Sequence, residues 1–307
     1  MKMKISYAKP FLKWAGGKTQ LISEIEKCLP QEVLSGKFTY IEPFVGSGAI
    51  LFWMLNNFPN MEKAVINDIN SDLINAYKII ASKPKQLISI LKDFQAEYHE
   101  LENKEAEKTA YYYEKRQQYN TRNADKITHA AIFIFLNRTC FNGLYRVNKS
   151  NLFNVPIGSY KSPRVCDEEN IFAVSEALQN VEIINDDFEE TLQYANENSF
   201  FYLDPPYKPL SITSNFNSYG EREFGDNEQI RLRDFCVNLE AQNSKWILSN
   251  SDVPDNNFLD KLFRDFVIKR VNAKRMINSK ADKRGILNEL LITNYKNEPL
   301  ELFASQS

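Results

Sequence analysis

A chain of 307 residues is long enough for about two domains of ordinary size, or for one catalytic domain carrying a large insertion. Its 43% apolar and 25% charged residues, with only 10 glycines and 12 prolines, exclude collagen-like, low-complexity and wholly disordered classes. The net charge of −2 argues against a chain coated in nucleic acid, even the longest apolar runs (residues 130–136 and, equally long, 49–55) are far below the ~20 residues of a membrane span, and residues 1–10 lack the apolar core of a signal peptide, so a cytoplasmic location is expected.

Residues 14–19, WAGGKT, end like a phosphate-binding loop, but that pattern needs glycine where Leu12 stands, so the backbone cradle is incomplete. Residues 38–44, FTYIEPF, are aromatic and β-branched and read as a buried strand. They run into Gly46-Ser47-Gly48 and then into the helix-like AILFWMLNN. A second strand at 64–66 ends at Asn67-Asp68, and Asp68 follows Gly48 by 20 residues. That is the spacing of a βαβ unit whose second strand ends in an acid that holds ribose hydroxyls. Leu51 occupies the third position of G-x-G-x-x-G, where a pyrophosphate would meet a bulky side chain, so the two glycines suit a ligand without phosphates.

After Tyr77 the texture changes to long charged helices: Pro84 marks a helix start, and Ile88, Leu91, Phe94, Tyr98 and Leu101 recur at helical spacing. Residues 78–165 read as an inserted, mostly helical module, flanked by residues 1–77 and 166–307 of the main domain. Within it, residues 137–166 hold five bases and no acid, and a second basic stretch spans 264–284. Each is a solvated face unless chemistry elsewhere calls for a polyanion. Strand-like runs return at 181–184, 200–203, 246–248, 266–268 and 290–293, alternating with helical stretches such as 228–238, the pattern of an open α/β sheet. Cys28, Cys140, Cys166 and Cys236 form no C-x-x-C pair and only two histidines are present, so no metal site is expected and the cysteines read as reduced, buried thiols. None follows a proline, which removes the nucleophile needed to methylate carbon 5 of cytosine.

Asp204-Pro205-Pro206-Tyr207 follows the apolar strand at 200–203, which puts it at the carboxyl edge of the sheet, where such folds bind ligands. The prolines stiffen the turn and fix where the Asp204 carboxylate and the Pro205 carbonyl point. Two acceptors offered to one amino group of an aromatic ring favour a pyramidal nitrogen whose lone pair can aim at an electrophile. Tyr207 is placed to stack on the ring.

The blocks KPFLKWAGGK (9–18), IEPFVGSG (41–48), INDIN (66–70), FLNRTCFNGLYRVN (135–148), FNVPIGSY (153–160) and YLDPPYKPLS (202–211) occur in that order, and the chain closely resembles the Dam-type, D12-class DNA adenine N6-methyltransferases over nearly its whole length. The resemblance implies a Rossmann-like methyltransferase sheet with an inserted target-recognition domain. It implies S-adenosyl-L-methionine as cofactor, held by Trp14, Lys18, Phe44, Gly46, Gly48, Asp68, Asp187, Phe188 and Asp204. It makes Asp204, Pro205 and Tyr207 the catalytic set. For Asp187 a helix N-cap reading stands beside the cofactor role, because Asp186-Asp187 precedes a helical run.

Residues 135–160 resemble the family's target-recognition hairpin, with a turn permitted at Asn142-Gly143. The resemblance implies that Phe141 inserts into the base stack, that Asn142 and Leu144 approach base edges, that Arg146 and Lys13 read guanines, and that Pro156 and Tyr160 support the contact. Arg138 and Asn148 join this DNA-binding set, and the two basic stretches become phosphate contacts. Taken alone, Phe141 reads equally well as a core aromatic. The expected partner is double-stranded DNA at a short site, GATC among the candidates, with a cognate restriction endonuclease as a companion in the cell and a location in the cytoplasm, on a prokaryotic or phage nucleoid. N4 methylation of cytosine, N5 methylation of a protein glutamine and non-catalytic duplex binding are the alternatives.

Overall fold

The structure is a computed structural model, and it describes residues 7–14, 18–206, 224–252, 257–274 and 286–296. After a 3-10 turn (Lys18–Leu21) and two short helices, α1 (Ile22–Glu26) and α2 (Gln31–Ser35), the chain enters β1 (Phe38–Glu42). Helix α3 (Ala49–Asn57) leads to β2 (Met61–Asn67). Five helices precede β3 (Val181–Ile184): α4 (Ser71–Ser82), α5 (Pro84–Glu100), α6 (Glu105–Thr121), α7 (Lys126–Thr139) and α8 (Glu168–Ala177). A 3-10 segment (Phe188–Tyr194) leads to β4 (Ser199–Leu203), α9 (Asp226–Ala241) to β5 (Lys245–Ser251), and α10 (Phe258–Leu262) to β6 (Val267–Lys274) and β7 (Ile286–Thr293).

Among the described residues the strands form one sheet in the order β3-β2-β1-β4-β5-β7-β6, parallel except for β7, which runs against both neighbours. This is the open α/β sheet that the alternation of strands and helices predicts, and it is Rossmann-like, as the resemblance implies. Its order reverses between β1 and β4, so the crevice above their carboxyl ends is where a ligand belongs. The strands are apolar on both faces because both are covered. Tyr40, Ile66, Phe200 and Tyr202 turn to one core, while Ile41, Val65, Phe201 and Leu203 turn to the other, which α9 closes with Leu232, Phe235 and Leu239.

The first core continues into the helical layer. Residues 129–137 of α7 are all buried, so the apolar run 130–136 is a helix surrounded by α4, α5 and α6. Asp72 of α4 locks these helices together: it accepts the Tyr119 hydroxyl of α6 (2.5 Å) and the Arg122 guanidinium (3.0 Å), and His129 Nε2 of α7 lies 2.9 Å away. Burial alone would raise the Asp72 carboxyl, but His129, Tyr119 and Arg122 outweigh it and hold it at about 2. Helix α4 runs through residue 78 to Ser82, and Pro84 is the first residue of α5. Helix α4 also packs on α7, so it contributes to the helical layer as well as leading out of β2. No helix among the described residues is long and apolar enough to cross a membrane.

Candidate active site and nucleic-acid interface

The crevice starts from Asn67, the last residue of β2, which ties three strand ends together. Its amide donates to the carbonyls of Pro43 (3.1 Å) and Asp186 (3.0 Å), and its side-chain oxygen accepts the Asp186 N–H (2.9 Å). Between β1 and α3 the chain passes Gly46 and Gly48, both left-handed at φ +48° and +75°. A Cβ on Gly48 would lie 2.5 Å from the Tyr77 hydroxyl, and one on Gly46 would lie 3.2 Å from the Trp14 ring. Conformation and close approach therefore both require glycine here. Asp68 accepts the Gly46 N–H (3.1 Å) and the Asn70 N–H (2.9 Å), which holds the turn against the end of β2. Burial pushes its carboxyl up to about 6, with the two amides pulling the other way. Ile69 beside it is 67% exposed, an apolar side chain left uncovered at the rim.

Phe188 is buried, its ring 5.2 Å from that of Phe44, and Phe224 completes the cluster. Asp187 is the N-cap of the 3-10 segment, accepting the Glu189 N–H at 3.1 Å, and the same oxygen takes Nη2 of Arg231 from α9 at 3.0 Å. The capping reading of Asp187 is thus realised, and Arg231 is an addition that no local motif announces.

Asp204 and the buried Pro205 stand at the carboxyl end of β4, across the switch point from the glycine turn. Asp204 Oδ1 accepts the Ser249 hydroxyl of β5 (2.9 Å) and the Lys18 ammonium (3.3 Å), while the Tyr202 hydroxyl donates to Ser249 Oγ (3.1 Å). Burial pushes the Asp204 carboxyl up to about 6 against the pull of Lys18 and Ser249. Lys18 also reaches Glu289 of β7 at 3.2 Å. Beneath lies a second buried acid, Glu42, which accepts the Tyr40 hydroxyl (2.7 Å) and which burial pushes well above the usual carboxylate range. Tyr207 lies outside the described residues. Polar residues inside the buried strand β5, Ser249-Asn250-Ser251, were a readable signal of a functional edge, since buried polar groups need partners. Glu289 gave no such signal.

Lys13 joins this crevice to the insertion. Its N–H donates to the Asn137 side chain (2.8 Å), whose amide returns bonds to the Lys13 carbonyl (2.7 Å) and the Gly143 carbonyl (3.1 Å). The Lys13 ammonium sits 4.0 Å from the centre of the Tyr160 ring, and a Cβ on Gly143 would strike the Lys13 side chain at 2.5 Å. Trp14, next in sequence, stacks on Tyr145 at 5.5 Å.

The turn at Asn142-Gly143 is a 3-10 turn closing α7, with Asn142 left-handed at φ 55°, and not the tip of a hairpin. The reversal comes later, at 148–152, where the Asn148 side chain accepts the N–H groups of Ser150 (3.0 Å) and Leu152 (2.9 Å). Antiparallel bridges join Cys140 to Ile157 and Val147 to Phe153. The Asx turn made by Asn148 is the stronger reversal, and its carboxamide oxygen is committed to it. Phe141 is 45% exposed, with its N–H tied to the Pro156 carbonyl at 2.9 Å, so it is no core aromatic. Asn142 is exposed and Leu144 half-buried beside it. Arg146 is oriented across the ribbon, Nε donating to Asn154 Oδ1 at 2.7 Å and Nη2 to the Asn154 carbonyl at 3.3 Å.

Arg138, of the implied DNA-binding set, is half-buried at the end of α7. Its guanidinium turns inward to the Phe11 carbonyl (2.7 Å), and burial lowers its pKa, so it pins the N-terminal segment to α7. Several bases of the two basic stretches form surface ion pairs. Arg164 pairs with Asp167, Lys269 with Glu24, and Arg270 with Asp252 and Asp260. Lys149 and Lys161 are exposed on the ribbon side.

A family model described as D12 class N6 adenine-specific DNA methyltransferase matches residues 14–277. The chain is 49% identical to the type II methyltransferase M.MjaIII of Methanocaldococcus jannaschii, over 94% of this chain and 99% of that protein. It is 39% identical to the type II methyltransferase M1.LlaDCHI of Lactococcus lactis, covering 94% and 96% of the two chains. It is 36% identical to the DNA adenine methylase of Haemophilus influenzae, covering 95% of each.

Proposed function

The chain belongs to the D12 class of N6 adenine-specific DNA methyltransferases, and from that premise we propose that it moves the methyl group of S-adenosyl-L-methionine to N6 of an adenine flipped out of a short duplex site, GATC first among the sequences to test. The observation that carries the reading is the Asp204 carboxylate at the sheet switch point, with both of its described donors on Oδ1. Oδ2 and the Pro205 carbonyl are then the pair that accepts the two N–H bonds of the target amine.

S-adenosyl-L-methionine supplies an electrophilic methyl group on a sulfonium and carries no phosphate, which fits a glycine turn shaped by Trp14 and Tyr77 with Leu51 buried at the third glycine position. Asp68 is the residue for the ribose hydroxyls, Phe44 and Phe188 for the flat face of the adenine ring, and Asp187 for its amino group. Trp14, Lys18, Gly46 and Gly48 complete that set.

A stacked adenine is out of reach, and extruding it costs roughly a few kcal/mol. Phe141 is the wedge that compensates for the lost stacking. With Nε and one edge of Nη2 held by Asn154, Arg146 keeps its Nη1–Nη2 edge for O6 and N7 of a guanine. Lys13 is the second guanine reader, and Asn142, Leu144, Pro156 and Tyr160 shape the contact around it. Asp204 orients and polarises the amine, Tyr207 stacks on the extruded base, and the surplus proton leaves after transfer. Two relatives named type II methyltransferases support a restriction endonuclease as companion, and the prokaryotic sources of the relatives support the nucleoid as the place of work.

The test is to incubate the protein with S-adenosyl-L-methionine labelled in its methyl group and a duplex of mixed sequence, then to digest the product to nucleosides and sequence the modified positions. Label in N6-methyladenine at one short site is expected. Label in N4-methylcytosine or in protein, or saturable duplex binding with no affinity for the cofactor, would overturn the reading.

A further inference from the structure

Lys18 and Glu289 lie 271 positions apart and meet beneath the target pocket, 5% and 8% exposed. The Lys18 ammonium is 3.3 Å from Asp204 Oδ1 and 3.2 Å from Glu289 Oε2, so two carboxylates share one buried cation. Glu289 is brought there by β7, which runs antiparallel beside β5 with Glu289 opposite Ser251, two residues from the Ser249 that also bonds Asp204. The reversed strand of the sheet thus has a chemical consequence at its centre.

We propose that Glu289 is a positioning residue for methyl transfer, anchoring the Lys18 ammonium on Asp204 Oδ1 and drawing off part of its charge so that Asp204 remains a strong acceptor for the target amine. This rests on the reading of Asp204 as the amine acceptor. A lysine devoted to Asp204 alone would leave the carboxylate largely neutralised, and a weaker acceptor polarises the amine less. Loss of the Glu289 anchor would also loosen the hold that keeps the ammonium on Oδ1 and away from Oδ2, the oxygen the amine needs.

Among the described residues the groups facing Asp204 are Lys18 from the 3-10 turn, Glu289 from β7, Ser249 from β5, Tyr202 from β4, and the Glu42–Tyr40 pair from β1. Lys18 favours the ionised form of Asp204 and Glu289 opposes it. Glu289→Gln removes that opposition and takes one carboxylate away from the ammonium that Asp204 shares, two effects of the same sign. Lys18→Met acts the other way.

The experiment is the pH dependence of the single-turnover methylation rate for the parent, Glu289→Gln and Lys18→Met at saturating cofactor and duplex. The acid limb of Glu289→Gln is expected to move down by about half a pH unit or more, with a severalfold lower plateau, and that of Lys18→Met to move up. Glu289→Asp, which keeps the charge, should restore most of the plateau. An unmoved acid limb in Glu289→Gln, or movement of both variants in one direction, overturns the proposal. Should Glu289→Gln fail to fold, the Lys18→Met limb decides, since an unmoved limb there removes the cation on which the argument depends. An active parent with unmoved limbs refutes this inference alone, whereas a parent that methylates no adenine refutes the reading of the site as well.

Discussion

Replacing Asp204 with asparagine is the sharpest test of the amine-acceptor geometry, because the structure dictates which way the amide must sit. Tyr202 donates to Ser249 Oγ at 3.1 Å, so the Ser249 proton points to Asp204, and Ser249 and Lys18 both donate to Oδ1. In Asp204→Asn the amide oxygen therefore takes the Oδ1 place and the NH2 group takes the Oδ2 place, where it meets the target amine donor to donor. Loss of one preorganised acceptor costs about 3 kcal/mol of barrier, a hundredfold or more in rate. The opposed donors mean that asparagine is no better than alanine, although it is the closer isostere. The assay is single-turnover methylation at saturating cofactor and duplex, with both affinities measured alongside and expected to stay near the parent values. A rate for Asp204→Asn within tenfold of the parent would refute the acceptor role, and a rate more than tenfold above that of Asp204→Ala would refute the orientation argued here.

Phe141→Ala is expected to slow methylation of a paired adenine more than that of an adenine opposite an abasic gap, where unstacking is already cheap; equal losses on both would make it a packing residue. Arg146→Ala should lose discrimination at one guanine by ~1–3 kcal/mol, and Asn154→Ala, which removes the Nε contact and leaves only the backbone one at Nη2, should lose part of it at the same base, whereas Lys149→Ala should weaken all sequences alike; rates on each single-base variant of the site check this. Asp72→Asn should lower stability at pH 7 by on the order of 2 kcal/mol. The sign follows from the depressed carboxyl, whose contribution is present above the ordinary aspartate range and is lost as pH falls through about 2. Denaturant melts from pH 7 to pH 2 should then show a flatter acid loss in the variant, and an unchanged pH profile would contradict the network.

The pieces of the site that could be read in the sequence are those whose chemistry is local. A strand running into Gly46-Ser47-Gly48, an acid 20 residues on and Asp204-Pro205 after an apolar strand each announce a sheet edge, because backbone conformation and strand polarity place them there. The hairpin was harder. Asn142-Gly143 has the composition of a reversal, and the chain does adopt left-handed φ there, but the Asx turn of Asn148 is the one that brings Arg146 opposite Asn154. A count of bases in the basic runs also does not reveal that Arg138 bonds the Phe11 carbonyl or that Arg164 pairs with Asp167.

The remaining parts depend on which strands become neighbours, and no local pattern carries that. Lys18 ends a motif that looks like a phosphate loop, and its purpose is visible only when β7 lies beside β5 and sets Glu289 under it. Asn137 is a polar residue in an apolar helix, a sign of a partner but not of which one; the partner proves to be the backbone of Lys13, 124 positions away. These two contacts have a common consequence. Lys13 and Trp14 touch Tyr160, Tyr145 and the glycine turn at Gly46, and Lys18 reaches Asp204. On the proposed function, duplex reading, cofactor holding and amine orientation would then draw on residues close together in sequence, which accounts for a block that ends like a phosphate loop where the proposed ligand carries no phosphate.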